Sequence, residues 1–264
     1  MAKIAEVSPY LLTIDHLLTE DEQLVWQSAR SFCQANIAPH IAEHYEQAQF
    51  PRELIQELAR QGFLGASLAG YSCAAMNPVA YGLTLLELER QDSGIRSFCS
   101  VQSNLVMWPI FTYGDDEQKT RWLPAMAKGE TIGCFGLTEP NSGSDPGSLQ
   151  SRAQQISKDG DYLLQGQKCW ITNSPIADVL LVWAKTREFN STVESIRGFV
   201  LERGMPGLFT PEIKNKLSLR ASITGEIIMN DVRVPKANVL PAAMDLKAPL
   251  RCLIKPAMAL AGEL

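Results

Sequence analysis

The sequence lacks the two motifs that most often accompany a bound nucleotide. Neither GxGxxG nor GxxxxGKS/T occurs in its 264 residues, so a Rossmann-type or P-loop site loses its main support. It also lacks an excess of positive charge, because 24 lysines and arginines stand against 29 aspartates and glutamates, for a formal net charge of −5. This balance argues against a protein that binds nucleic acid.

Long apolar runs and paired cysteines are also missing. No stretch approaches the roughly 20 apolar residues that span a bilayer, and the start, MAKIAEVSPYLLTIDHLL, has neither an export signal nor a transit pattern. We therefore expect no membrane association and a cytoplasmic protein, or one of the mitochondrial matrix if the source is eukaryotic. The six cysteines include no CxxC pair, which favours reduced core thiols over disulfides or metal ligands.

Histidine is scarce, with only three in the chain. His40 and His44 are four residues apart on a predicted helix, where they could share a metal ion. No third ligand accompanies them at a suitable spacing, so the sequence predicts exposed histidines and no metal site.

The first half of the sequence has helical periodicity. Thr19 followed by Glu22 predicts a capping box before an amphipathic helix. Pro51 is expected in the first turn of a second helix. Further helices are expected at about 78–90, at about 100–114 with an interruption near Pro109, and at about 115–129.

After residue 129 the pattern changes to short apolar runs separated by Gly, Asn, Asp and Pro. Four of these runs predict strands: YLLQGQKCWIT, DVLLVWAK, GFVLER and EIIMNDVRV. No helical pattern separates them, which favours an antiparallel barrel or sandwich. The sequence therefore predicts an α+β protein, with an all-α domain at 1–130 and a β domain at 131–242.

One polar run stands out at the start of the β region, CFGLTEPNSGSDPGS at 134–148. Small residues let a ligand approach the main chain, and hydroxyl and amide groups can donate to a flat polar ring or a phosphate. Thr138, Asn141, Ser142, Gly143 and Ser144 could together line such a site. Composition alone slightly favours the alternative, a polar loop that joins a helix to a strand.

The order of several runs resembles the acyl-CoA dehydrogenases. CFGLTEPNSGSD followed by WITNSPIADVLLVWAKT is similar to their flavin-binding middle domain. Further matching segments are ELERQDSGIRSFCSVQSNLVM, YGDDEQKTRWLPAMAKGE, RGFVLERGMPGL and LSLRASITGEIIM. The resemblance extends from about residue 15 to residue 253, and within the family it is strongest to the branch that acts on glutaryl-CoA.

This resemblance implies FAD as the cofactor. The implied cofactor-binding residues are Phe135, Gly136, Leu137, Thr138, Gly143, Ser144, Trp170, Ile171 and Thr172. Thr138 would face the pyrimidine end of the isoalloxazine, and Ser144 would lie near the diphosphate. Trp170 would form a flat wall, with Thr172 near the reactive nitrogen; taken alone, Trp170 would be interpreted as a core aromatic.

The resemblance also implies residues for the acyl end of the substrate, namely Arg96, Ser97, Ser144, Glu89 and Ser100. Glutaryl-CoA ends in a free carboxylate, for which a guanidinium is the natural bidentate partner. Glu89 and Ser100 would orient Arg96. Without the surrounding match, Arg96 would be interpreted as a solvated charge at a helix end.

The implied reaction is the FAD-dependent oxidation and decarboxylation of glutaryl-CoA to crotonyl-CoA and CO2, a step of lysine and tryptophan degradation. Electrons would leave to an electron-transfer flavoprotein. In the family, the base that removes the α-proton is a glutamate of a third, helical domain that also supplies most contacts of a homotetramer. No residue of this sequence matches that glutamate. The alternative is therefore a catalytically inactive fragment that retains only part of the flavin and CoA scaffold.

Residues 243–264 are expected to be a truncated or frameshifted tail. From Ile254 onward the sequence departs from the family's continuation, and removal of one nucleotide after the codon for Leu253 is compatible with the run that follows. Glu263 belongs to that unrelated run, so no catalytic residue is assigned. Arg220, Ala221 and Ser222 match a family signature for which we expect a structural role.

Overall fold

The computed structural model describes residues 15–261, with side chains from residue 16 to residue 254. The predictions made for the amino-terminal run before residue 15 and for Glu263 lie outside the described residues. None of the described helices has the length and apolar character needed to cross a membrane.

Helices occupy the first half of the described chain. They are α1 (Glu20–Asn36), α2 (Ile41–Gln47), α3 (Leu54–Arg60), α4 (Pro78–Gln91), α5 (Ser93–Ser100), α6 (Trp108–Tyr113) and α7 (Asp116–Ala127). The predicted capping box begins α1, because the Glu22 amide donates to Thr19 Oγ1 at 3.3 Å and the Thr19 amide donates to Glu22 Oε2 at 2.8 Å. Asp115 and Gln118 form a second capping box on α7. Both boxes satisfy amide groups that the first turn of a helix leaves unpaired.

A π-helical segment at Val101–Met107 connects α5 directly to α6. The Trp108 amide donates to the Ser103 carbonyl, five residues back, which is the wider turn of a π-helix. Pro109 lies in the first turn of α6, and because proline has no N–H it cannot continue the backbone hydrogen bonds of the preceding helical turns. The interruption predicted near Pro109 is therefore a change of helix type.

The second half of the described chain contains the strands and one further helix. They are β1 (Gly133–Gly136), β2 (Arg152–Gln155), β3 (Tyr162–Thr172), β4 (Val179–Arg187), β5 (Glu194–Glu202), β6 (Leu208–Phe209), β7 (Thr224–Val234) and α8 (Lys247–Ala261). The four predicted strands correspond to β3, β4, β5 and β7. Where the sequence suggested only a tail, the structure forms α8, with Ala248 and Cys252 buried.

All seven strands belong to one mixed sheet in the order β1–β4–β2–β3–β7–β6, with β5 beside β4. The α+β class is confirmed. One edge of β4 pairs in parallel with two strands, at 179–182 with β1 and at 185–187 with β2. The expected antiparallel arrangement is therefore wrong for these pairs. The chain reverses between β2 and β3 and again before β4, so β4 runs in the same direction as β2.

Three apolar clusters hold these elements together. One lies among α1, α3, α4 and α5, and a second lies inside the curled sheet, where Cys134, Leu164 and Phe199 meet. The third joins α6, α7, α8 and the π-helical segment to the outer face of β1 and β4. This third cluster connects the helical half to the sheet, and the candidate site lies at its rim.

Candidate functional site

A cleft of about 340 Å³ opens where the π-helical segment, the chain at and after the end of β1, the carboxyl-terminal end of β3 and α8 meet. Its size is within the range of roughly 300–1,000 Å³ that is usual for small-molecule sites. Eight of the nine residues predicted to bind the cofactor line it: Phe135, Leu137, Thr138, Gly143, Ser144, Trp170, Ile171 and Thr172. The ninth, Gly136, lies inside the sheet, where an added Cβ would be 2.9 Å from Ile227 Cδ1.

A bulge in β3 turns Trp170 toward the cleft. Lys168 is paired with Ile227 and Ile171 with Gly225, so β3 has one residue more than β7 between these two pairs. Inside the bulge, Trp170 has a φ of 59°, in the left-handed region that non-glycine residues rarely adopt. Its side chain is 64% exposed, although the strand around it is largely buried. The bulge thus places the Trp170 side chain in the wall of the cleft.

The loop between β1 and β2 forms a second wall. Glu139 and Ser142 exchange backbone hydrogen bonds at 3.0 and 3.1 Å, and the Ser142 hydroxyl donates to the Asp145 carbonyl at 2.6 Å. This tight turn places Gly143 and Ser144 in the open at the cleft margin. An added Cβ at Gly143 would meet nothing within 4 Å, so the space beside this backbone is free for a ligand.

A buried ion pair behind the cleft connects the loop to β3. Lys168 is fully buried, and its Nζ donates to Glu139 Oε1 at 2.7 Å and to the Leu137 carbonyl at 3.1 Å. Burial lowers the pKa of Lys168, and the bond to Glu139 offsets part of this effect. Burial also opposes ionisation of Glu139, but hydrogen bonds from Lys168, Ser151 and Gln150 hold its pKa below the usual value.

This ion pair was not predicted from the sequence. A lysine in a strand is usually assigned to the solvent face, and Glu139 belongs to a polar run that was interpreted as a loop. The available signal was the alternation of β3, in which Tyr162, Leu164 and Lys168 share the inward face. The apolar contributions of Val101, Leu105, Leu250 and Leu253 to the cleft were also missed.

The five predicted acyl-binding residues are not all in one place. Ser144 lines the cleft, whereas Arg96, Ser97, Glu89 and Ser100 do not. Arg96 and Ser97 lie on α5, and Val101, where the chain reaches the cleft, is four residues after Ser97. These residues therefore precede the cleft along one continuous helical stretch.

Arg96 is held by a single described partner. Its Nε donates to Glu89 Oε2 at 2.6 Å, with about a third of the Arg96 side chain exposed. Among the described residues, no hydrogen bond engages its two terminal guanidinium nitrogens. Ser93 also donates to the Glu89 carboxylate, and both bonds contribute to a lowered Glu89 pKa although burial opposes it. Ser100 is buried nearby on the same helix but bonds neither residue in the described contacts.

The two histidines considered as metal ligands sit at α2. His44 Nε2 is 3.4 Å from Glu53 Oε1. Within residues 16–254 no group of three or more His, Cys, Asp or Glu side chains is arranged to hold a metal ion.

The chemistry of the cleft suits a flat ring with polar edges. Thr138, Ser144 and Thr172 contribute hydroxyl groups to the cleft lining, and Leu137, Ile171 and the exposed Trp170 contribute apolar surface. Hydroxyls can donate to or accept from ring nitrogen and oxygen atoms. None of the described residues on the cleft is an acid, a histidine or a lysine, so those residues offer binding and orientation but no strong base.

Two family models match the chain in sequence. The acyl-CoA dehydrogenase N-terminal domain matches residues 19–130, and the acyl-CoA dehydrogenase middle domain matches residues 134–232. The chain therefore belongs to the acyl-CoA dehydrogenase family. A curated relative, an acyl-CoA dehydrogenase from Bacillus subtilis (strain 168), is 34% identical over 224 residues, which is 84% of this chain and 58% of the relative.

Solved structures agree with this assignment. A glutaryl-CoA dehydrogenase from Mycobacterium smegmatis is 49% identical with a TM-score of 0.89, over 94% of this chain and 62% of that one. A structure of a glutaryl-CoA dehydrogenase from the same organism in complex with FADH2 is 45% identical with a TM-score of 0.88, over 93% and 61% of the two chains. The chain thus spans about three fifths of the length of these relatives.

Proposed function

We propose that the cleft binds FAD and that the chain takes part in the oxidation of an acyl-CoA, with glutaryl-CoA as the substrate. The observation that carries this proposal is the convergence of eight predicted flavin-binding residues, from two separate segments of sequence, on one cleft. Belonging to the acyl-CoA dehydrogenase family supports the reaction class. The structural relative with bound FADH2 supports the cofactor.

The residues present would hold the flavin by shape and hydrogen bonding. Trp170 would cover one face of the ring, and the hydroxyls of Thr138 and Thr172 would reach its polar edges. Ser144 and the exposed backbone at Gly143 would approach the diphosphate. When bound, FAD would supply the acceptor for hydride, and the protein would supply orientation and electrostatics.

Arg96 supports glutaryl-CoA over a simple fatty acyl-CoA. Its ion pair with Glu89 fixes the side chain through Nε and leaves the two terminal nitrogens for a second carboxylate. A planar guanidinium can bind a carboxylate through two parallel hydrogen bonds. Ser97, half-buried on the same helix, would add a hydroxyl beside this group.

A second candidate function is flavin and acyl-CoA binding without turnover. The observation that favours it is the lack of any strong base among the described cleft residues. Removal of the α-proton of a thioester requires such a base while the β-hydride leaves. For the complete reaction we propose an electron-transfer flavoprotein as the electron acceptor and a homotetramer as the assembly.

The absorbance spectrum of the purified 264-residue chain, followed by anaerobic titration with glutaryl-CoA, tests both candidates. A flavin band that bleaches supports oxidation of glutaryl-CoA. A band that shifts without bleaching supports binding without turnover. A preparation that retains no flavin, even after incubation with FAD, contradicts both.

The assignment of Arg96 is tested by binding of glutaryl-CoA and butyryl-CoA to the flavin-loaded chain. In Arg96→Met we expect glutaryl-CoA to bind about tenfold or more weakly, since a charge-assisted hydrogen bond contributes roughly 1.5–3 kcal/mol, and butyryl-CoA to bind as before. Arg121→Met is the matched control, because Arg121 pairs with Glu202 outside the cleft. Equal weakening of both ligands would contradict a carboxylate-binding role.

A further inference from the structure

The buried pair of Glu139 and Lys168 does more than neutralise two charges. The remaining lone pairs of the Glu139 carboxylate accept the Gln150 amide at 2.6 Å and the Ser151 amide at 2.9 Å. Glu139 begins the turn that presents Gly143 and Ser144, and Gln150 and Ser151 are where the loop re-enters the sheet. One carboxylate therefore closes this loop at both ends.

Lys168 fixes the other wall in the same way. It lies two residues before Trp170 on β3, at the edge of the bulge. Its Nζ bonds both Glu139 and the Leu137 carbonyl, and the adjacent Cys169 amide donates to the Thr138 carbonyl at 3.0 Å. The bulge that carries Trp170 and the loop that carries Thr138 are thus joined directly.

We propose that the Glu139–Lys168 pair is a positioning device that sets the loop at 137–151 and the Trp170 bulge at a fixed distance and angle, so that the two walls can hold one ligand. The identity of that ligand as FAD rests on the proposed function. Neither side chain lines the cleft, so both act through the residues they hold.

Stability alone does not account for this pair. Removing two charges from water costs as much as their attraction returns, and well-packed apolar side chains of similar volume often stabilise a core equally well. Apolar side chains could not accept the Gln150 and Ser151 amides or donate to the Leu137 carbonyl. What distinguishes the charged pair from an apolar pair is therefore its hydrogen bonds to backbone groups of the segments that form the cleft.

The test separates positioning from folding by comparing Glu139→Leu/Lys168→Met with the parent chain. The double variant leaves no unpaired charge in the core, but it leaves the Ser151 amide and the Leu137 carbonyl without side-chain partners, so we expect it to fold with a lowered unfolding midpoint. Exchange at Gln150 and Ser151 is therefore compared with exchange at Leu181 in the sheet. We expect hydrogen exchange of the Gln150 and Ser151 amides to be at least tenfold faster, and the Kd for FAD to rise at least tenfold. The bound flavin should also lose the absorbance fine structure that a rigid apolar site produces.

Asp161→Leu/Arg233→Met is the matched control. Asp161 and Arg233 form an ion pair at the start of β3, and Asp161 accepts a backbone amide, from Lys236, as Glu139 does. This pair is exposed and away from the cleft, so FAD affinity and exchange at Gln150 and Ser151 should not change.

The outcomes decide between the roles. Parent-like FAD affinity and parent-like exchange at both amides in the double variant would overturn the proposal and leave a purely structural pair. If the parent chain binds no FAD, the proposed ligand fails, and the exchange measurement still decides whether the pair holds the loop. If the double variant does not fold, Glu139→Gln is used, with exchange at Gln150 and Ser151 compared to exchange at Leu181 in the sheet. An unchanged ratio would again overturn the proposal.

Discussion

At the scale of single residues, Trp170 bears two energetic costs. Its backbone is in the left-handed region, which costs a non-glycine residue of the order of 1–3 kcal/mol. Its large apolar side chain is 64% exposed instead of buried. Both costs are explained if the ring is covered by a ligand, because the bulge is the feature that aims the ring at the cleft.

Replacing Trp170 with Ala should therefore affect binding more than folding. We expect the free energy of unfolding, measured with urea, to change by about 0.5 kcal/mol or less, because the side chain is exposed. The Kd for FAD should rise about three- to tenfold, since an aromatic stacking contact contributes roughly 0.5–1.5 kcal/mol. Phe209→Ala is the control, with an aromatic ring that is 56% exposed on β6. Equal FAD binding by both variants and the parent would refute the role of Trp170.

The sequence predicted the identity of such residues better than their conformation. Trp170 and Thr138 were found by motif resemblance, but nothing local announced the positive φ of Trp170. That conformation results from the register between β3 and β7, which is a long-range property. Lys168 was missed although the alternation of β3 places it on the inward face, because a lysine in a strand is usually assigned to solvent and its partner Glu139 is distant in sequence.

At the scale of elements, the π-helical segment contributes both to the cleft and to the junction between the helices and the sheet. Val101 and Leu105 contribute to the cleft, while Gln102 is buried toward the junction with the sheet. Gln102 Nε2 donates to the Thr131 carbonyl at 2.9 Å, and its Oε1 accepts the Gly133 amide at 2.8 Å. This side chain substitutes for backbone bonds at the first residues of β1.

Elements were predicted best where the signal is local. The capping box at Thr19 and the eleven-residue run of β3 both depend on neighbouring residues, and both are present. The four residues of β1 are too short for an alternation, and its parallel pairing with β4 joins residues far apart in sequence. The interruption near Pro109 was predicted, because proline is a local signal, but the wider turn of the π-helical segment before it was not.

Gln102→Leu should destabilise the junction. The substitution leaves the Thr131 carbonyl and the Gly133 amide without the partners that Gln102 supplies. Buried polar groups without partners cost roughly 1–3 kcal/mol each, so we expect a loss of about 2 kcal/mol or more in unfolding free energy. Gln56→Leu is the matched control: Gln56 donates to the neighbouring Gly129 carbonyl at 2.9 Å, but it is exposed. Similar losses in the two variants would contradict the importance of burial.

At the scale of the whole molecule, the turn before β7 fastens the sheet to the helices. Ala221 and Ser222 pack against the start of α5, where an added Cβ on Gly94 would lie 2.7 Å from the Ser222 amide nitrogen. Only glycine permits this approach. Because α5 also carries Arg96, the position of the proposed acyl-binding residue depends on a contact between the two halves of the fold.

Arg220 makes the hydrogen bonds of this connection between the turn and the helices. Its Nε donates to the Tyr45 carbonyl at 3.0 Å and its Nη2 donates to the Glu46 carbonyl at 2.8 Å. These carbonyls lie in the last turn of α2, where a helix has unpaired acceptors and a partial negative charge. The guanidinium also lies over the Tyr45 ring, 6.0 Å from its centroid.

Arg220→Ala should therefore weaken the molecule as a whole while leaving the cleft residues intact. Hydrogen bonds to a charged donor contribute roughly 1.5–3 kcal/mol each when buried, and Arg220 is only half-buried, so we expect a loss of about 1–2 kcal/mol in unfolding free energy. Arg220→Lys should recover little of this loss, because an ammonium group cannot present the guanidinium fork to two carbonyls.

Hydrogen exchange locates this effect within the structure. The Gln49 amide, which donates to the His44 carbonyl at 2.9 Å and closes α2, should exchange faster in Arg220→Ala. Arg233→Ala is the control, because the ion pair of Arg233 with Asp161 lies within the sheet. It should leave exchange at Gln49 unchanged, and it should change the unfolding free energy by about 0.5 kcal/mol or less. If Arg220→Ala lowers stability without affecting Gln49, the arginine stabilises its own turn and does not join the two halves.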